Sequence, residues 1–286
     1  MKISLLILCT TLFFGTLYSQ KEKVKGNKIV ATEELDVEGF HTIEVYDNFE
    51  VSLEESSDHQ VRIKADSNLQ DFIQIVVQDS VLTITSDKDL RRAKALHLDI
   101  FYASEVKKIR IFDKVQLKSI LPITSGELKI ESNDIAEIFL TTDTRMLECT
   151  VNGKSTAEFH VTSKEIVYQV NDNAEIKGII TSDSLKVDVY QKGRAKLEGE
   201  VQSMLVRADN DSDFYGEKLN AAKTKIIAES NSDCYILSSE EIIIDARDNA
   251  EIFLLGEPKI LIEAFLNEAS LFKKNIDYTP SKLRLN

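Results

Sequence analysis

Acidic side chains that return at a regular interval are the feature of this sequence most suggestive of chemistry. The strings SNDIAEIFLTT (132–142), VNDNAEIKGIIT (170–181) and ARDNAEIFLLGE (246–257) resemble one another closely. Stacked Asp residues in a repetitive β structure can bind calcium, and paired carboxylates can hydrolyse glycosidic bonds. Two residues before the equivalents of Ala174, the sequence always has Asp, Asn, Ser or Gly: Asp113, Asp134, Ser155, Asp172, Gly193, Asp211, Asn231, Asp248 and Asn267.

The order of these residues favours a structural role over a catalytic or metal-binding one. After Asp113 and Asp134, a neutral residue separates each Asp from the next in the series. In strands stacked about 4.8 Å apart, alternate carboxylates would lie about 10 Å apart, which is too far to share one ion. Asp, Asn, Ser and Gly are also the residues that favour turn geometry. We therefore interpret the nine positions as a structural turn ladder.

Other residue types form no second constellation. The four histidines, at positions 41, 59, 97 and 160, stand in no metal-ligand spacing with one another or with Cys. The sequence contains no Gly-rich phosphate loop and no GxSxG motif. We predict no catalytic, cofactor-binding or metal-binding residues, and no cofactor.

The repeat also predicts the elements that position the turn ladder. The equivalents of Ala174 are spaced by 19 residues on average, because 269 − 115 is 154 over eight steps, and a large apolar or aromatic residue follows each one two positions later. Runs such as LKVDVY (185–190) alternate apolar and polar residues, which is typical of strands. We predict an all-β fold, a parallel β-helix-like solenoid with coils of about 19 residues. The alternative is an antiparallel meander or sandwich in which each unit is one hairpin. The aligned equivalents are Val115, Ala136, Ala157, Ala174, Ala195, Asp213, Asp233, Ala250 and Ala269.

The chain divides into five predicted segments. Residues 1–19 have a basic start, an apolar run and a small-residue end, which indicates a secretory signal peptide; the alternative is an uncleaved anchor. Residues 20–36 are charged and are expected to form a flexible leader. Residues 37–112 contain strands without the turn signature, and we predict that this β region caps the coils of residues 113–275, because an uncapped stack exposes an edge. Residues 276–286 are expected to be a C-terminal tail.

Charge and cysteine content limit the possible partners. The formal net charge is −13, and removal of Lys2 with the signal peptide gives −13 − 1 = −14. An acidic chain is a poor partner for nucleic acid and for an acidic membrane surface. No segment after the signal peptide is long and apolar enough to span a membrane. Cys149 and Cys234 should lie about 19 Å apart in the coil stack, beyond disulfide reach, so we predict two free thiols.

The order of the segments resembles a known family. FHTIEVYDNFEVSLEE, then VRIKADSNLQDFIQIVVQDSVLTIT, then the serial coil motif and finally IFLLGEPKI resemble the family called putative auto-transporter adhesin, head GIN domain. The resemblance covers about residues 37–275 and implies a β-helix-like fold in an exported, cell-envelope protein, without established catalytic residues. Relatives usually have Ser-Gly-rich corners, whereas the corners here are SNDIA, VNDNA, RADNDSD and ARDNA. Asn and Asp also tolerate a positive φ, so the turn can survive this change.

Three functional hypotheses follow from the sequence. The first is an exported, non-catalytic β-helix protein, an adhesin or cell-envelope binding protein, whose partner is a surface polysaccharide, lipid or protein. Its location would be periplasmic, cell-surface or extracellular. The alternative is a carbohydrate-active enzyme, a lyase or glycosidase on the same scaffold, which would need a focused cluster of carboxylates. The third is a structural component that self-associates through a coil end or edge.

Overall fold

The structure is a computed structural model that describes residues 21–275. The predicted signal peptide and the predicted tail at 276–286 lie outside the described residues. Over the described range the chain is almost entirely β, with one short 3₁₀ turn at Gln70–Phe72, and no helix is long and apolar enough to cross a membrane. The all-β solenoid predicted from the repeat is therefore confirmed.

The strands are short in the first part of the chain and long in the coils. The short ones are β1 (Lys23–Lys25), β2 (Val30–Asp36), β3 (Thr42–Val45), β4 (Glu50–Glu55), β5 (Gln60–Asp66), β6 (Ile73–Gln78), β7 (Val81–Ser86), β8 (Asp89–Arg91), β9 (Leu96–Tyr102), β10 (Lys108–Ile111) and β11 (Gln116–Ser119). The others are β12 (Ile123–Ser132), β13 (Glu137–Val151), β14 (Thr156–Val170), β15 (Glu175–Tyr190), β16 (Arg194–Asp209), β17 (Asp213–Ala228), β18 (Asp233–Ala246), β19 (Glu251–Leu255), β20 (Lys259–Phe265) and β21 (Ser270–Lys273).

Successive coils pair in parallel and in register. Glu137 lies opposite Thr156, Thr156 opposite Glu175, and Glu175 opposite Arg194, so the step between these coils is 19 residues. Side chains alternate between the interior and the outer surface along each strand. The inward columns are apolar and almost completely buried, as at Ile138 and its successors Ala157, Ile176, Ala195, Phe214, Cys234 and Ile252.

Each long strand bends once, which gives every coil two arms. The pairing skips one residue at the bend, at Arg145, Lys164 and Asp183 in successive coils. A buried serine beside the bend bonds to the backbone two residues later: Ser163 Oγ donates to the Glu165 carbonyl (3.0 Å) and Ser182 Oγ to the Ser184 carbonyl (2.9 Å). The small hydroxyl satisfies backbone that the bend would otherwise leave unpaired.

The two arms build two facing sheets. Sheet A contains β2, β5, β9, β4, β11, the first arms of β13–β18, β19 and β21. Sheet B contains β6, β7, β3, β10, β12, the second arms of β13–β18 and β20. Twelve steps of about 4.8 Å make sheet A about 58 Å long. The core lies between the two sheets.

The first part of the chain joins the stack more closely than the sequence indicated. Strands β3 and β4 pair in parallel with β10 and β11, and Glu50 lies opposite Gln116, so coil structure begins well before Asp113. Antiparallel strands β2, β5, β6 and β7 then extend the two sheets at this end. The 3₁₀ turn lies beside them, with Leu69 fully buried.

The expectation of a flexible leader at 20–36 is corrected by β2. Residues Val30–Asp36 pair antiparallel with β5, and Leu35 packs against the core. The segment is charged because β2 forms an edge of sheet A, where outward Glu residues remain in water. Composition alone could not distinguish an edge strand from a disordered segment.

The predicted free thiols are confirmed for the two described cysteines. Cys149 and Cys234 are both free and fully buried. Burial raises the pKa of both thiols far above the ordinary value, because the interior disfavours a thiolate. The cysteines therefore behave as small core residues.

Candidate functional site

The coil corner opposite the bend contains one left-handed residue per coil. In register, the residues with positive φ are Asp47, Asp113, Asp134, Gly153, Asp172, Gln191, Asn210, Ser230, Asp248 and Asn267. Asp, Asn and Gly adopt this conformation more readily than other residues. Asp47 extends the column one coil before the first residue that the sequence singled out.

Four of the nine residues assigned to the turn ladder do not lie at this corner position. Ser155 and Gly193 lie two residues later, in the buried column of Ala174, while Asp211 and Asn231 each follow the corner residue by one. The sequence alignment slipped because Ala157 and Ala195 are also small and inward, one alternation further along the strand. In the true register the steps between Ala174 equivalents are 21, 19, 19, 19, 19, 20, 18 and 19: Val115, Ala136, Ser155, Ala174, Gly193, Ser212, Ser232, Ala250 and Ala269.

The carboxylates of the corner column bond to the neighbouring coil. Asp113 Oδ2 accepts the backbone N–H of Asp47 (2.9 Å), Asp134 Oδ2 accepts that of Asp113 (3.0 Å), and Asp172 Oδ2 accepts that of Gly153 (3.0 Å). Each carboxylate thus fastens its own turn to the one before. Among residues 21–275, no group of three or more His, Cys, Asp or Glu side chains is arranged to hold a metal ion.

The outer face of sheet A offers a more open surface than the corner. One outward column runs the full length of the sheet and crosses β2, β5, β9, β4, β11, β13–β19 and β21. Its members change from ionic to mixed to aromatic: Glu34, Arg62, Asp99, Ser52, Lys118, Phe139, Glu158, Lys177, Lys196, Tyr215, Tyr235, Phe253 and Phe272.

A groove of about 480 Å³ lies in the middle of this face, on β13–β16. Phe139 and Ile179 are 46% and 47% exposed, although each is a large apolar side chain. Polar and charged neighbours stand between and around them, including His160 and Lys177. We call this set the sheet A groove; its lining comprises Ser119, Phe139, Leu140, Thr141, Glu158, Phe159, His160, Lys177, Gly178, Ile179, Lys196 and Glu198.

A second depression of about 400 Å³ adjoins the groove, and Phe139 lines both. Its wall carries Lys64 and His97 from the antiparallel strands, and His97 Nδ1 lies 3.0 Å from a Glu50 carboxylate oxygen. Arg62 fixes the next stretch of the face, with its guanidinium 2.8 Å from Glu34 and 3.6 Å from Asp99. The face therefore offers apolar and charged contacts in succession over several strands.

An aromatic ladder occupies the C-terminal part of the same column. The ring centroids of Tyr215, Tyr235, Phe253 and Phe272 are separated by 5.5, 4.4 and 5.2 Å in turn. Stacked rings cover one another's faces, so this ladder mainly supports the sheet.

Acidic residues run beside the aromatic ladder. Asp213, Asp233 and Glu251 occupy one outward column in successive coils. Desolvation, followed by the charges of Glu251 and Asp213, raises the pKa of Asp233 above its ordinary value. The like charges are only partly hidden from water, and they make this part of sheet A repel anions.

The sheet A groove was not identified from the sequence, although a signal for it was present. In EIFLTT, Ile138 faces inward and Phe139 outward, and in GIIT, Ile180 faces inward and Ile179 outward. A large apolar residue on the polar side of an alternating strand is an exception that marks a contact surface.

The fold and this face define the class of protein: a parallel β-solenoid with a long, groove-bearing outer sheet. The family profile for putative auto-transporter adhesin, head GIN domain, matches residues 39–170 and 156–258, which together span 258 − 39 + 1 = 220 residues of the chain. The chain belongs to this family.

Solved structures support the same architecture. A putative adhesin from Parabacteroides merdae aligns with a TM-score of 0.64 at 16% identity and covers 88% of this chain and 99% of its own. A putative adhesin and a putative lipid binding protein from Parabacteroides distasonis align with TM-scores of 0.61 and 0.63 at 16% and 15% identity, each covering 88% of this chain and 100% of its own. At such identities the likeness shows the fold alone. None of the curated proteins compared with the chain matches it significantly.

Proposed function

We propose that this protein is an exported, non-catalytic binding protein of the cell envelope, and that the sheet A groove binds a surface polysaccharide. The observation that carries the proposal is the exposure of Phe139 and Ile179 within a polar groove on an otherwise charged face. Sugar rings present an apolar face for stacking and a rim of hydroxyls for hydrogen bonds. Thr141, His160 and Glu158 supply donors and acceptors beside the two apolar side chains.

The shape of the surface supports a polymeric ligand. The groove is open and continues into the depression that contains Lys64 and His97. An extended chain could therefore contact several coils in succession, each coil adding similar contacts. The predicted signal peptide and the family description support an exported location, either periplasmic or on the cell surface.

A lipid is the second candidate ligand. One of the solved structures with this fold is described as a putative lipid binding protein. Ile120 and Leu121, 51% and 58% exposed, follow β11 and add apolar surface close in sequence to Ser119 of the groove. A lipid ligand would use these apolar side chains more than the charged lining.

A glycan-binding screen with analysis of products tests the proposal. Residues 20–286 are incubated with bacterial and host glycans and with lipid vesicles, and both binding and sugar products are recorded. We expect glycan binding without new products, weakened at least about tenfold in the Phe139→Ala/Ile179→Ser variant, since exposed anchors dominate small interfaces. Val76→Ser is the matched control, because Val76 is 53% exposed on β6 of sheet B, away from the groove.

Each alternative predicts a different result. Shortened or unsaturated sugars would establish the carbohydrate-active enzyme in place of the binding protein. Binding to vesicles alone would establish the lipid ligand. Absence of both would contradict a polysaccharide role and favour a protein partner. Glycan binding that Phe139→Ala/Ile179→Ser leaves unchanged would place the site elsewhere.

A further inference from the structure

The coil stack is open at its C-terminal end. In β20, Ile260 and Ile262 continue the interior columns of Ile242 and Ile244, which are fully buried. Ile260 and Ile262 are nevertheless 44% and 56% exposed, because no described coil follows them. Phe265 continues the inward column of Ala246 and is 41% exposed. These residues are a cross-section of the core that faces solvent.

The exposed apolar surface is concentrated at this end. Six of the thirteen exposed large apolar side chains of the described chain lie between residues 260 and 272: Ile260, Leu261, Ile262, Phe265, Leu266 and Phe272. Within residues 21–275, β20 pairs only with β18 and β21 only with β19, so the outer edges of β20 and β21 present unpaired N–H and C=O groups. A wide apolar surface beside unpaired strand edges is typical of a site that receives another β-strand.

The opposite end of the stack is closed. Its edge strand β2 carries Glu33 and Glu34, and Leu69 lies fully buried beneath the N-terminal strands. Charged edge residues oppose strand addition. Head-to-tail stacking of solenoids, which would produce a fibre, is therefore disfavoured, and only two C-terminal ends match each other.

We propose that a second copy of this chain covers the open end, through antiparallel pairing of β20 with β20 of the second copy about a two-fold axis at Leu261. In this register Lys259 of one copy lies opposite Glu263 of the other, and Ile260 lies opposite Ile262. The strand KILIE is thus complementary to its own reverse in both charge and apolar character. The regular pairing ends at Glu263, where β20 has a bulge.

Charges on the neighbouring coils extend the match. Within one chain, Lys259 Nζ lies 3.2 Å from a Glu241 oxygen, and Lys225 Nζ lies 2.7 Å from a Glu263 oxygen. Across the two-fold axis the order of charges becomes Glu241, Lys259, then Glu263 and Lys225 of the second copy. Alternating charges attract across the interface, and the symmetry provides two such rows. Because both ends are consumed, assembly stops at the dimer.

Sedimentation velocity over a wide concentration range tests the dimer with residues 20–286. We expect a reversible dimer whose dissociation constant rises at least about tenfold in Lys259→Glu and likewise in Glu263→Lys, because each change places like charges opposite each other twice. The double variant Lys259→Glu/Glu263→Lys restores the opposite charges and should dimerise as the original chain does. All of these positions are exposed, so circular dichroism should show unchanged folding.

Two further variants test whether the dimer forms through the apolar end of the stack. Ile262→Asp should abolish the dimer, whereas Val76→Asp on β6 should leave it intact. A monomer at every concentration would overturn the proposal, as would a dimer that tolerates both single charge reversals. Dimerisation that appears only after removal of residues 276–286 would overturn it too, since the chain's own C-terminal segment would then be the natural occupant.

Discussion

Individual residues decide whether two backbones can approach within the coil stack. Gly199 has a φ of +119°, and a Cβ built there would lie 2.0 Å from the Ile180 carbonyl oxygen. Gly256 has a φ of +82°, with the Ser238 carbonyl oxygen 2.2 Å from such an atom. Both positions require glycine for conformational freedom and for close approach.

Replacement of Gly199 should be costly. We expect Gly199→Ala to lower the free energy of unfolding by at least about 2 kcal/mol, because the methyl group meets backbone that cannot rotate away. Urea denaturation followed by circular dichroism measures the loss. Gly39→Ala is the matched control, since its added Cβ would come no closer than 3.7 Å to a neighbouring side chain and should cause little change. Equal losses in the two variants would contradict the steric argument.

Asp66 fastens the N-terminal strands at another single position. It is fully buried, and its carboxylate accepts the backbone N–H groups of Lys28 (2.7 Å), Lys94 (2.8 Å) and Ala95 (3.2 Å). Desolvation opposes the charged form, but the three backbone donors and the Lys28 charge outweigh it and lower the pKa of Asp66 below its usual 3.8.

Loss of the Asp66 charge should therefore destabilise the protein in a pH-dependent way. We expect Asp66→Asn to lower the free energy of unfolding by about 2 kcal/mol at neutral pH, since an amide nitrogen cannot accept these bonds. A lowered pKa in the folded state means that the contribution is complete above the unfolded value near 3.8 and disappears as the pH falls through the lower folded value. Urea denaturation at a series of pH values should show the two proteins converging in acid; a constant difference would contradict a stabilising role for the charge.

The turn is the element that repeats most faithfully, and hydrogen bonds connect each turn to the next. Besides the corner carboxylates, Asn133, Asn152 and Asn171 form an amide column: Asn152 Nδ2 donates to Asn133 Oδ1 (2.9 Å) and Asn171 Nδ2 to Asn152 Oδ1 (2.7 Å). Each amide can accept from one neighbour and donate to the other. The turns are thereby held in the same register as the strands that they connect.

Asp172 allows the two contributions of a turn residue to be separated. It has a φ of +59°, and its carboxylate accepts the Gly153 N–H. Asp172→Asn keeps both an acceptor oxygen and tolerance of positive φ, Asp172→Gly keeps only the tolerance, and Asp172→Ala keeps neither. We expect stability losses in the order Asn, Gly, Ala, with about 1 kcal/mol for the bond and about 1–2 kcal/mol more for the backbone strain. Chemical denaturation measures the order, and a glycine variant as unstable as the alanine variant would refute the strain contribution.

At the scale of the whole molecule, the solenoid is a row of similar coils in contact with their neighbours only. Stability in such a row is a sum over coils and interfaces, and opening begins at the ends. Cys149 lies in β13, in the middle of the row, whereas Cys234 lies in β18, near the open C-terminal end. The two buried thiols are therefore natural reporters of opening at two depths.

Thiol labelling should show this gradient. In variants that retain one of the two thiols, Cys149→Ala and Cys234→Ala, we expect the remaining Cys234 to react with a thiol reagent faster than the remaining Cys149 under native conditions. Both should react at once in denaturant, which serves as the control. Equal native rates would indicate a single cooperative opening of all coils and would contradict opening coil by coil from the ends.

How far the sequence predicts the site can be judged from particular residues. The corner at Asp113, Asp134, Asp172, Asp248 and Asn267 was found because turn chemistry is local. The sheet A groove was missed because the exposure of Phe139 and Ile179 depends on the neighbours supplied by the adjacent coils. The domain boundaries drawn from the sequence stay a prediction, although β3 and β4 already belong to the coil stack.

The sequence by itself determined the strand periodicity, the coil length and the presence of one turn per coil, because alternation and turn preferences operate within a few residues. Only the tertiary structure decided the register, since Ser155 and Ala157 are both small, both buried and equally suited to the inward column by type. It also decided that the charged segment Val30–Asp36 is an edge strand and that the core ends uncovered at Ile260 and Ile262. These features depend on pairing between residues distant in the chain, which no local pattern encodes.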